Sequence, residues 1–336
     1  MAILNDQDGL NHEKCFDRKS VTMQVIYLSH PYDSAQIFSQ PLVMALGFFD
    51  GVHLGHQTVI EQARIRARQE QIPLAVMTFD QHPKIIYTGI SPYSVTYLST
   101  LKRKIELMED LGVDILYIVR YDHNFGHQKP QEFVDNYIVG LHSRVVVAGF
   151  DYTYGPKEIA NMDTLIDHSR GRFEIIKVEE QVMHQHKIGS SSIKELLSDG
   201  QIELANHELG YAYQTSGIVI HGDKRGRKMG YPTANIETSS QELLPGLGIY
   251  VVEFYYNQRW YQGMASIGYN ISFAGKRGLR CEINIFDFDE DIYGRSVKIR
   301  WHRYLRGEIK FNSADELVQQ LEQDKIQAMN FFKSCD

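Results

Sequence analysis

Two histidines, His53 and His56, stand in a glycine-rich stretch, Ala45–Ile60 (ALGFFDGVHLGHQTVI). An imidazole can hydrogen-bond a phosphate oxygen or stabilise charge that develops on one. At this spacing both rings can face one side of a helix start. Gly47, Gly51 and Gly55 surround them, and Phe49 and Asp50 share the turn. Leu42–Leu46, just before, reads as a buried strand. Val59, Ala63 and Ala67, four apart, read as one face of a helix. Strand, glycine turn and helix aim backbone N–H groups and the positive helix end at one spot, where an anion fits. Loop histidines exposed to solvent and a zinc pair are the competing readings. The local order favours a triphosphate site, and no further Cys or His ligand follows at a familiar zinc spacing.

A second cluster is His221–Asn235, HGDKRGRKMGYPTAN. Three glycines (Gly222, Gly226, Gly230) and four basic residues, Lys224 and Arg227 among them, make a cationic loop. Glycines let backbone amides approach phosphate oxygens, and Lys/Arg supply charge. Pro232 closes the loop. Thr233 and Asn235, two apart, offer oxygen ligands suited to Mg²⁺ on one face of an extended chain. A solvated turn or an RNA contact is the bland alternative. Glu282 is the other candidate, in LRCEINIFDF. Period 2 puts Cys281, Ile283 and Ile285 on one face, with Glu282, Asn284, Phe286 and Phe288 on the other. A carboxylate among aromatics is suited to act as a general base beside a flat ligand, but periodicity alone favours an ordinary exposed strand glutamate.

These clusters need elements to hold them. Strand-like runs at Met23–Leu28, Ile72–Phe79, Ile115–Val119, Arg144–Gly149 and Phe173–Val178 alternate with amphipathic segments. One such segment carries Leu101, Ile105, Met108 and Leu111 and stops at Gly112. Another opens at Pro130, with Phe133, Val134, Tyr137 and Ile138 inward. This alternation predicts a parallel, Rossmann-like sheet with helices on both faces. Ligands bind such sheets at the C-terminal strand ends. Asp50–His56, Asp80–Lys84 (with Pro83) and Phe150–Lys157 (with Asp151) all fall there. Ser190, Ser191 and Lys194 open a further helix, for which a plain serine cap is the simplest reading. Helical pattern runs from Ile193 to Leu209 and stops at Gly210. The period then becomes 2, predicting an antiparallel barrel or sandwich with strands at Gly217–His221, Gly248–Tyr256, Arg259–Gly268, Leu279–Phe288 and Ser296–Tyr304. A last helix starts at Ser313 with a capping box to Glu316. The expected division is 1–22 as a disordered extension, 23–210 as one domain and 211–336 as another.

The chain has 336 residues, 43% hydrophobic and 23% charged, enough for two ordinary cores. A net charge of −7 argues against a nucleic-acid coat. No apolar run approaches the ~20 residues of a membrane span. Three distant cysteines, Cys15, Cys281 and Cys335, predict no disulfide framework and fit a reducing cytoplasm. The first 22 residues lack the apolar core of a signal peptide.

GFFDGVHLGHQ, TFDQHPK, GFDYTYG and GSSSIK, in that order, resemble the FMN adenylyltransferase half of prokaryotic bifunctional riboflavin kinase/FAD synthetases. The HGDKRGRKMGYPTAN loop, IGYNISF, CEINIFDFDEDIYG and LRGEIKF resemble its riboflavin kinase half, a β-barrel. The resemblance implies phosphorylation of riboflavin to FMN by ATP, then adenylylation of FMN to FAD with release of pyrophosphate. It implies that His53 and His56 contact ATP phosphates. Gly47, Phe49, Asp50, Gly51, Gly55, Asp151, Ser190, Ser191 and Lys194 would line that site, and Pro83 would meet the flavin. In the kinase half Gly222, Lys224, Gly226, Arg227, Gly230 and Pro232 would wrap the nucleotide. Thr233 and Asn235 would hold Mg²⁺–ATP, Glu282 would be the base, and Arg306 would lie near the flavin. Partners would be small molecules, with no nucleic acid or membrane, and the state monomeric or transiently oligomeric. The chain departs from the family pattern at Gln81, Gly189, Lys194, Ile271-Ser272 and Asn284. The first three motivate an alternative, a kinase with a weakened adenylyltransferase half. A flavin-binding regulator without turnover and a cytidylyl- or pantetheine-adenylyltransferase are the others.

Overall fold

The continuous apolar runs become parallel strands buried on both faces. In a computed structural model of the chain, residues 22–180, 182–183, 186–222, 230–271 and 277–334 are described. The expectation for 1–22 falls, except for Thr22, outside them. The first sheet comprises β1 (Gln24–Leu28), β2 (Leu42–Leu46), β3 (Leu74–Phe79), β4 (Ile115–Val119), β5 (Ser143–Gly149) and β6 (Glu174–Val178). Its order is β1-β4-β3-β2-β5-β6, parallel throughout. Every residue of β2, β3 and β4 is buried, which is why they read as unbroken apolar runs rather than alternating ones. From β2 the chain builds toward β3 and β4 on one side and toward β5 and β6 on the other. The switch point therefore lies between the C-terminal ends of β2 and β5.

Helix α1 (Leu54–Glu70) buries Val59, Ala63 and Ala67 against this sheet, as its spacing predicts. Two short helices lie on the same side of the chain order: α2 (Lys84–Thr88) follows β3, and α3 (Leu101–Asp110) ends at Gly112, whose φ is 67°. Further along come α4 (His123–Gly126), α5 (Pro130–Phe133) and α6 (Leu165–Ser169). The Pro130 helix widens into a π-turn over Val134–Val139, which lets Phe133, Val134, Tyr137 and Ile138 all face inward. A two-residue hairpin, β7 (Val182–Met183) with β8 (His186–Lys187), leads to α7 (Ser190–Ser198) and α8 (Ile202–Leu209). The single helical run expected over Ile193–Leu209 is thus two helices. Gly200, at φ 75°, breaks it.

The second sheet closes into an antiparallel barrel, β10-β13-β12-β11-β14-β9. Its strands are β9 (Tyr213–Ile220), β10 (Ala234–Glu237), β11 (Gly248–Tyr256), β12 (Arg259–Ile271), β13 (Arg277–Ile285) and β14 (Ser296–Arg306). Closure removes the exposed edges that a sandwich would leave. Tyr213, Thr215, Ile267, Cys281, Ile283 and Trp301 fill the interior, and Trp301 Nε1 donates to Thr215 Oγ1 at 2.9 Å. Phe288 departs from the face expected for it. The strand ends at Ile285, Asp287 turns at φ 52°, and Phe288 packs on the interior cluster with Phe254 and Tyr261. Phe286 stays outside, under the last helix, α9 (Ala314–Lys333), with Met264, Ala328 and Phe332. Ser313 caps α9 by accepting from Glu316 N, as the box predicts.

Helices α7 and α8 precede the expected boundary near Gly210, yet their apolar faces join the barrel's cluster through Ile193, Leu197, Ile202, Ala205 and Leu209. Asn206 fastens α8 to the barrel, donating to Trp301 O and accepting from Tyr213 N. Lys298 of β14 pairs with Glu106 of α3 at 2.8 Å, and Tyr97 N donates to Gln241 O at 2.9 Å.

Candidate active sites

The turn between β2 and α1 is backbone under strain. Phe49, Gly51 and Val52 have φ of 55°, 79° and 42°. Positive φ in a β-branched residue costs of order 1–3 kcal/mol and persists only where surroundings over-determine it. The surroundings here are explicit. Lys104 Nζ and Thr78 Oγ1 both donate to the Phe48 carbonyl, at 2.7 and 2.8 Å. Val52 N donates to Phe49 O at 3.3 Å, and Ser190 Oγ to Asp50 O at 2.9 Å. The Tyr211 hydroxyl donates to Gly51 O, and Gln57 Nε2 to Val52 O at 2.9 Å. Successive carbonyls from Phe48 to Val52 are therefore all engaged, by donors from several elements.

His53 caps α1: its Nδ1 accepts from His56 N at 3.4 Å, and the two rings stack with centroids 3.6 Å apart. The His56 ring also meets the Phe49 ring edge at 5.2 Å. His56 titrates well below the ordinary imidazole value, because of burial first and then the nearby charges of His53 and Lys104. It is a neutral imidazole at pH 7, and its Nδ1 is buried with no hydrogen-bond partner among the described residues. His82 is lowered too, by burial and then by Lys194.

The pH dependence has a definite sign. A histidine held neutral on folding stabilises the fold fully above about pH 6.5, its unfolded value, and loses that contribution as pH falls toward the folded value. Thermal unfolding between about pH 7.5 and 5.5 should therefore destabilise the wild type more steeply than His56→Gln. The difference is at most about 1.4 kcal/mol per pH unit.

Gly47, Phe49, His53, Gly55, His56, Asp151, Ser190, Ser191 and Pro83 line one cavity of about 720 Å³ at the β2/β5 switch point. It continues past Phe79, Pro83 and Tyr152 into a pocket of about 120 Å³ walled by Tyr87, Tyr121, Phe125, Phe133 and Tyr154. Three residues expected at the nucleotide, Asp50, Gly51 and Lys194, are not among the cavity's walls. The Asp50 carboxylate faces away from it, accepting from Leu98 N and Ser99 N and pairing with Lys194 Nζ at 2.7 Å. Lys194 also donates to Thr96 O. Gly51 N donates to Ser99 Oγ, and a Cβ on Gly51 would come 2.8 Å from the Leu98 side chain. These three build the turn. Gln81, one of the departures, donates to Tyr121 O at 2.8 Å.

Lys104 is the residue that the sequence reading missed. It sits beneath the turn, 3% exposed, with Nζ 4.1 Å from the Phe48 ring centre. The signal was present: Lys104 is three residues after Leu101 and four before Met108, in register with the apolar face of α3.

The barrel-side site gathers Thr233, Glu282, Asn284 and Arg306 around a cavity of about 300 Å³, with Ile249, Met264, Ile309, Phe311 and Leu321 as apolar walls. Thr233 Oγ1 donates to Glu282 Oε2 at 3.2 Å. Asn235 lies opposite Glu282 on β10, and Ser266 lies opposite it on β12. Strand β10, where the sequence pattern predicts a loop, is what brings Asn235 there. Gly222 makes room for it: a Cβ at Gly222 would come 2.1 Å from Asn235 Nδ2. Asn284 donates to Pro232 O at 2.7 Å, fixing the chain before Thr233. Glu282, Ser266 and Glu308 also border an adjoining polar pocket of about 190 Å³ that includes Arg280 and Tyr269. Glu282 thus stands where an apolar cavity meets a polar one, and is no plain exposed strand residue. Arg306 reaches the apolar cavity while gripping buried Asp324 through Nε and Nη2 at 2.9 and 2.6 Å. Gly230 turns at φ 82°, and among the described residues nothing lies within 4 Å of where its Cβ would be. Lys224, Gly226, Arg227 and Ser272 lie outside the described residues. Among those described, no group of three or more His, Cys, Asp or Glu could hold a metal, and no helix is long and apolar enough to cross a membrane.

A doubly wound sheet with a histidine-bearing turn at its switch point is joined to a barrel whose carboxylate borders an apolar cavity, the architecture of an enzyme that handles phosphates at two places. Comparison narrows the class. The profile of the FAD synthetase family matches residues 35–192, and that of riboflavin kinase matches 209–332. The bifunctional riboflavin kinase/FMN adenylyltransferase of Listeria monocytogenes is 48% identical over 94% of this chain and 100% of its own length. The enzyme of the same name from Bacillus subtilis is 41% identical over 93% and 99%. A solved Streptococcus pneumoniae structure titled a macrolide-efflux protein superposes with TM-score 0.83 at 34% identity, covering 91% of this chain and 99% of that one. The chain belongs to the bifunctional riboflavin kinase/FMN adenylyltransferase family, and it is an enzyme with both activities.

Proposed function

We propose that FMN adenylylation takes place in the cavity at the β2/β5 switch point and riboflavin phosphorylation in the barrel cavity at Glu282. One observation carries the reading: each cavity joins a polar end, suited to phosphates, to an apolar end suited to a flat ring. In the first, the His53/His56 turn and the Ser190–Ser191 helix start would receive the triphosphate. Phe79, Tyr121, Phe125 and Tyr152 would receive the flavin beside Pro83. A phosphate oxygen of FMN attacks the α-phosphorus of ATP, and pyrophosphate leaves. Phosphate is already the nucleophile, so the protein's part is to position reactants and neutralise charge.

In the second, the ribityl 5′-hydroxyl of riboflavin gives its proton to Glu282 and attacks the γ-phosphorus, and ADP leaves. Thr233 and Asn235 are hard oxygen donors beside that carboxylate, and the space left by Gly222 admits the Asn235 amide, so the set fits Mg²⁺. Bound there, Mg²⁺ would neutralise charge on the phosphates. Arg306 would border the flavin from its anchor on Asp324. The chain divides near Gly210, acts on small molecules alone, works in the cytoplasm, and is monomeric or transiently oligomeric.

Incubation with riboflavin, ATP and Mg²⁺, with flavins separated over time, tests the reading. FMN should appear first and FAD after it, and excess EDTA should stop both. FMN that accumulates without FAD would restore the weakened-adenylyltransferase alternative, and turnover unaffected by EDTA would remove Mg²⁺.

A further inference from the structure

The steps above leave one buried cation without a task. Lys104 occupies a register position suited to an apolar side chain, and a lysine leaves water only where partners offset its desolvation. Its hydrogen-bond partners are neutral: Phe48 O at 2.7 Å and Thr78 Oγ1 at 3.2 Å. Carboxylates act on it only across space. Asp50 is already paired with Lys194, and Asp80 accepts from Tyr121 N. A positive charge is therefore held directly under the histidine turn, with its hydrogen bond turning the Phe48 carbonyl down toward α3.

We propose that Lys104 is a positioning residue for FMN adenylylation: its ammonium fixes the Phe48 carbonyl and sets a positive potential beneath the triphosphate. The proposal rests on assigning that reaction to the His53/His56 cavity. It gives the neutral imidazoles a reason. The Lys104 charge helps to keep both His56 and His82 unprotonated. Both remain hydrogen-bonding groups while the lysine supplies the charge. Burial lowers Lys104 itself to about 8, against the opposing pull of Asp50 and Asp80. The titratable groups around it are Asp50 and His56 from the turn and α1, Asp80 and His82 after β3, and Lys194 from α7 beyond them.

The test measures kcat/KM for ATP in FMN adenylylation from about pH 6.5 to 10, on the intact chain. Wild type, Lys104→Met and the double variant His53→Ala/His56→Ala are compared, with riboflavin phosphorylation read in the same samples. Wild type should fall above about pH 8, roughly tenfold per unit, since this parameter reports groups of the free enzyme. Lys104→Met should be slower by about 10–100-fold below pH 8, the usual scale for a supporting residue, and should lack the alkaline fall. Its kinase activity should be unchanged. A lysine that served folding alone would lower the rate and leave the alkaline fall in place, which overturns the proposal. So does a Lys104→Met rate equal to wild type while the histidine variant is inactive. Should Lys104→Met lose both activities, the wild-type profile decides by itself: a rate level to about pH 10 overturns it. Adenylylation that survives in the histidine variant as well overturns the assignment of the cavity together with the proposal.

Discussion

Glu282→Gln should phosphorylate riboflavin about 10²–10⁴-fold more slowly than wild type, the range for loss of a positioned general base. Glutamine keeps the volume of the side chain and an oxygen that can accept the Thr233 hydroxyl, so Thr233 and Asn235 stay where they are. What it loses is the capacity to take a proton at the border between the apolar and polar cavities. The loss should therefore fall on kcat, with KM for riboflavin little changed, as expected for an interaction made in the transition state. FAD formation from supplied FMN should be untouched. A variant that phosphorylates riboflavin at the wild-type rate would remove Glu282 from the chemistry and leave it as a hydrogen-bond acceptor for Thr233.

The complementary experiment joins His53→Ala to His56→Ala. FAD synthesis should drop by about 10²–10³-fold or more, as for removal of a preorganised donor to developing phosphate charge, and FMN should accumulate because the barrel site still runs. Each histidine contributes differently. His53 also holds the start of α1 by accepting from His56 N, so its loss removes a helix cap worth roughly 1 kcal/mol. His56 has no such structural bond at Nδ1 among the described residues. The single variant His56→Ala should thus separate phosphate contact from helix capping. Continued FAD production in the double variant would place the adenylyl transfer elsewhere.

Much of this architecture could be read from residue order. Strands buried on both faces announce themselves as unbroken apolar runs, which is why Leu42–Leu46 and Ile115–Val119 have the same limits in sequence and structure. Elements decided by single dihedrals were less legible. Gly200 splits a helical pattern that is otherwise continuous, and Asp287 flips Phe288 across the barrel wall. Strand β10 is short and follows Pro232, so its polar Asn235 read as part of a loop until its pairing with β13 and β9 was seen. In the sites, the histidines, the serines of α7 and Glu282 all line cavities, although the serines by type alone read as a helix cap and Glu282 as an exposed strand residue. Asp50 and Lys194 also read as phosphate ligands. Yet a carboxylate and an ammonium 144 positions apart give no sign in sequence that they neutralise each other, and here they do. Lys104 shows the reverse: it was visible as a charge on an apolar face, and burial gives that anomaly its meaning.

The fastening of the β2–α1 turn bears on how such an enzyme can be taken apart or rebuilt. Its Gly51 carbonyl is held by Tyr211, two residues past the end of α8, and Gln57 spans from the turn to Leu209 O. Segment 96–99, which grips Asp50, is itself moored to Gln241 beyond β10. A fragment cut after Gly210 would carry every histidine and serine of the proposed adenylylation site and yet lack two of its moorings. On the site assignment proposed above, the two halves would be separate as catalysts but not as cassettes. Anyone who grafts the adenylylating half onto another partner would have to carry Tyr211 and the Gln241 strap along, or rebuild them.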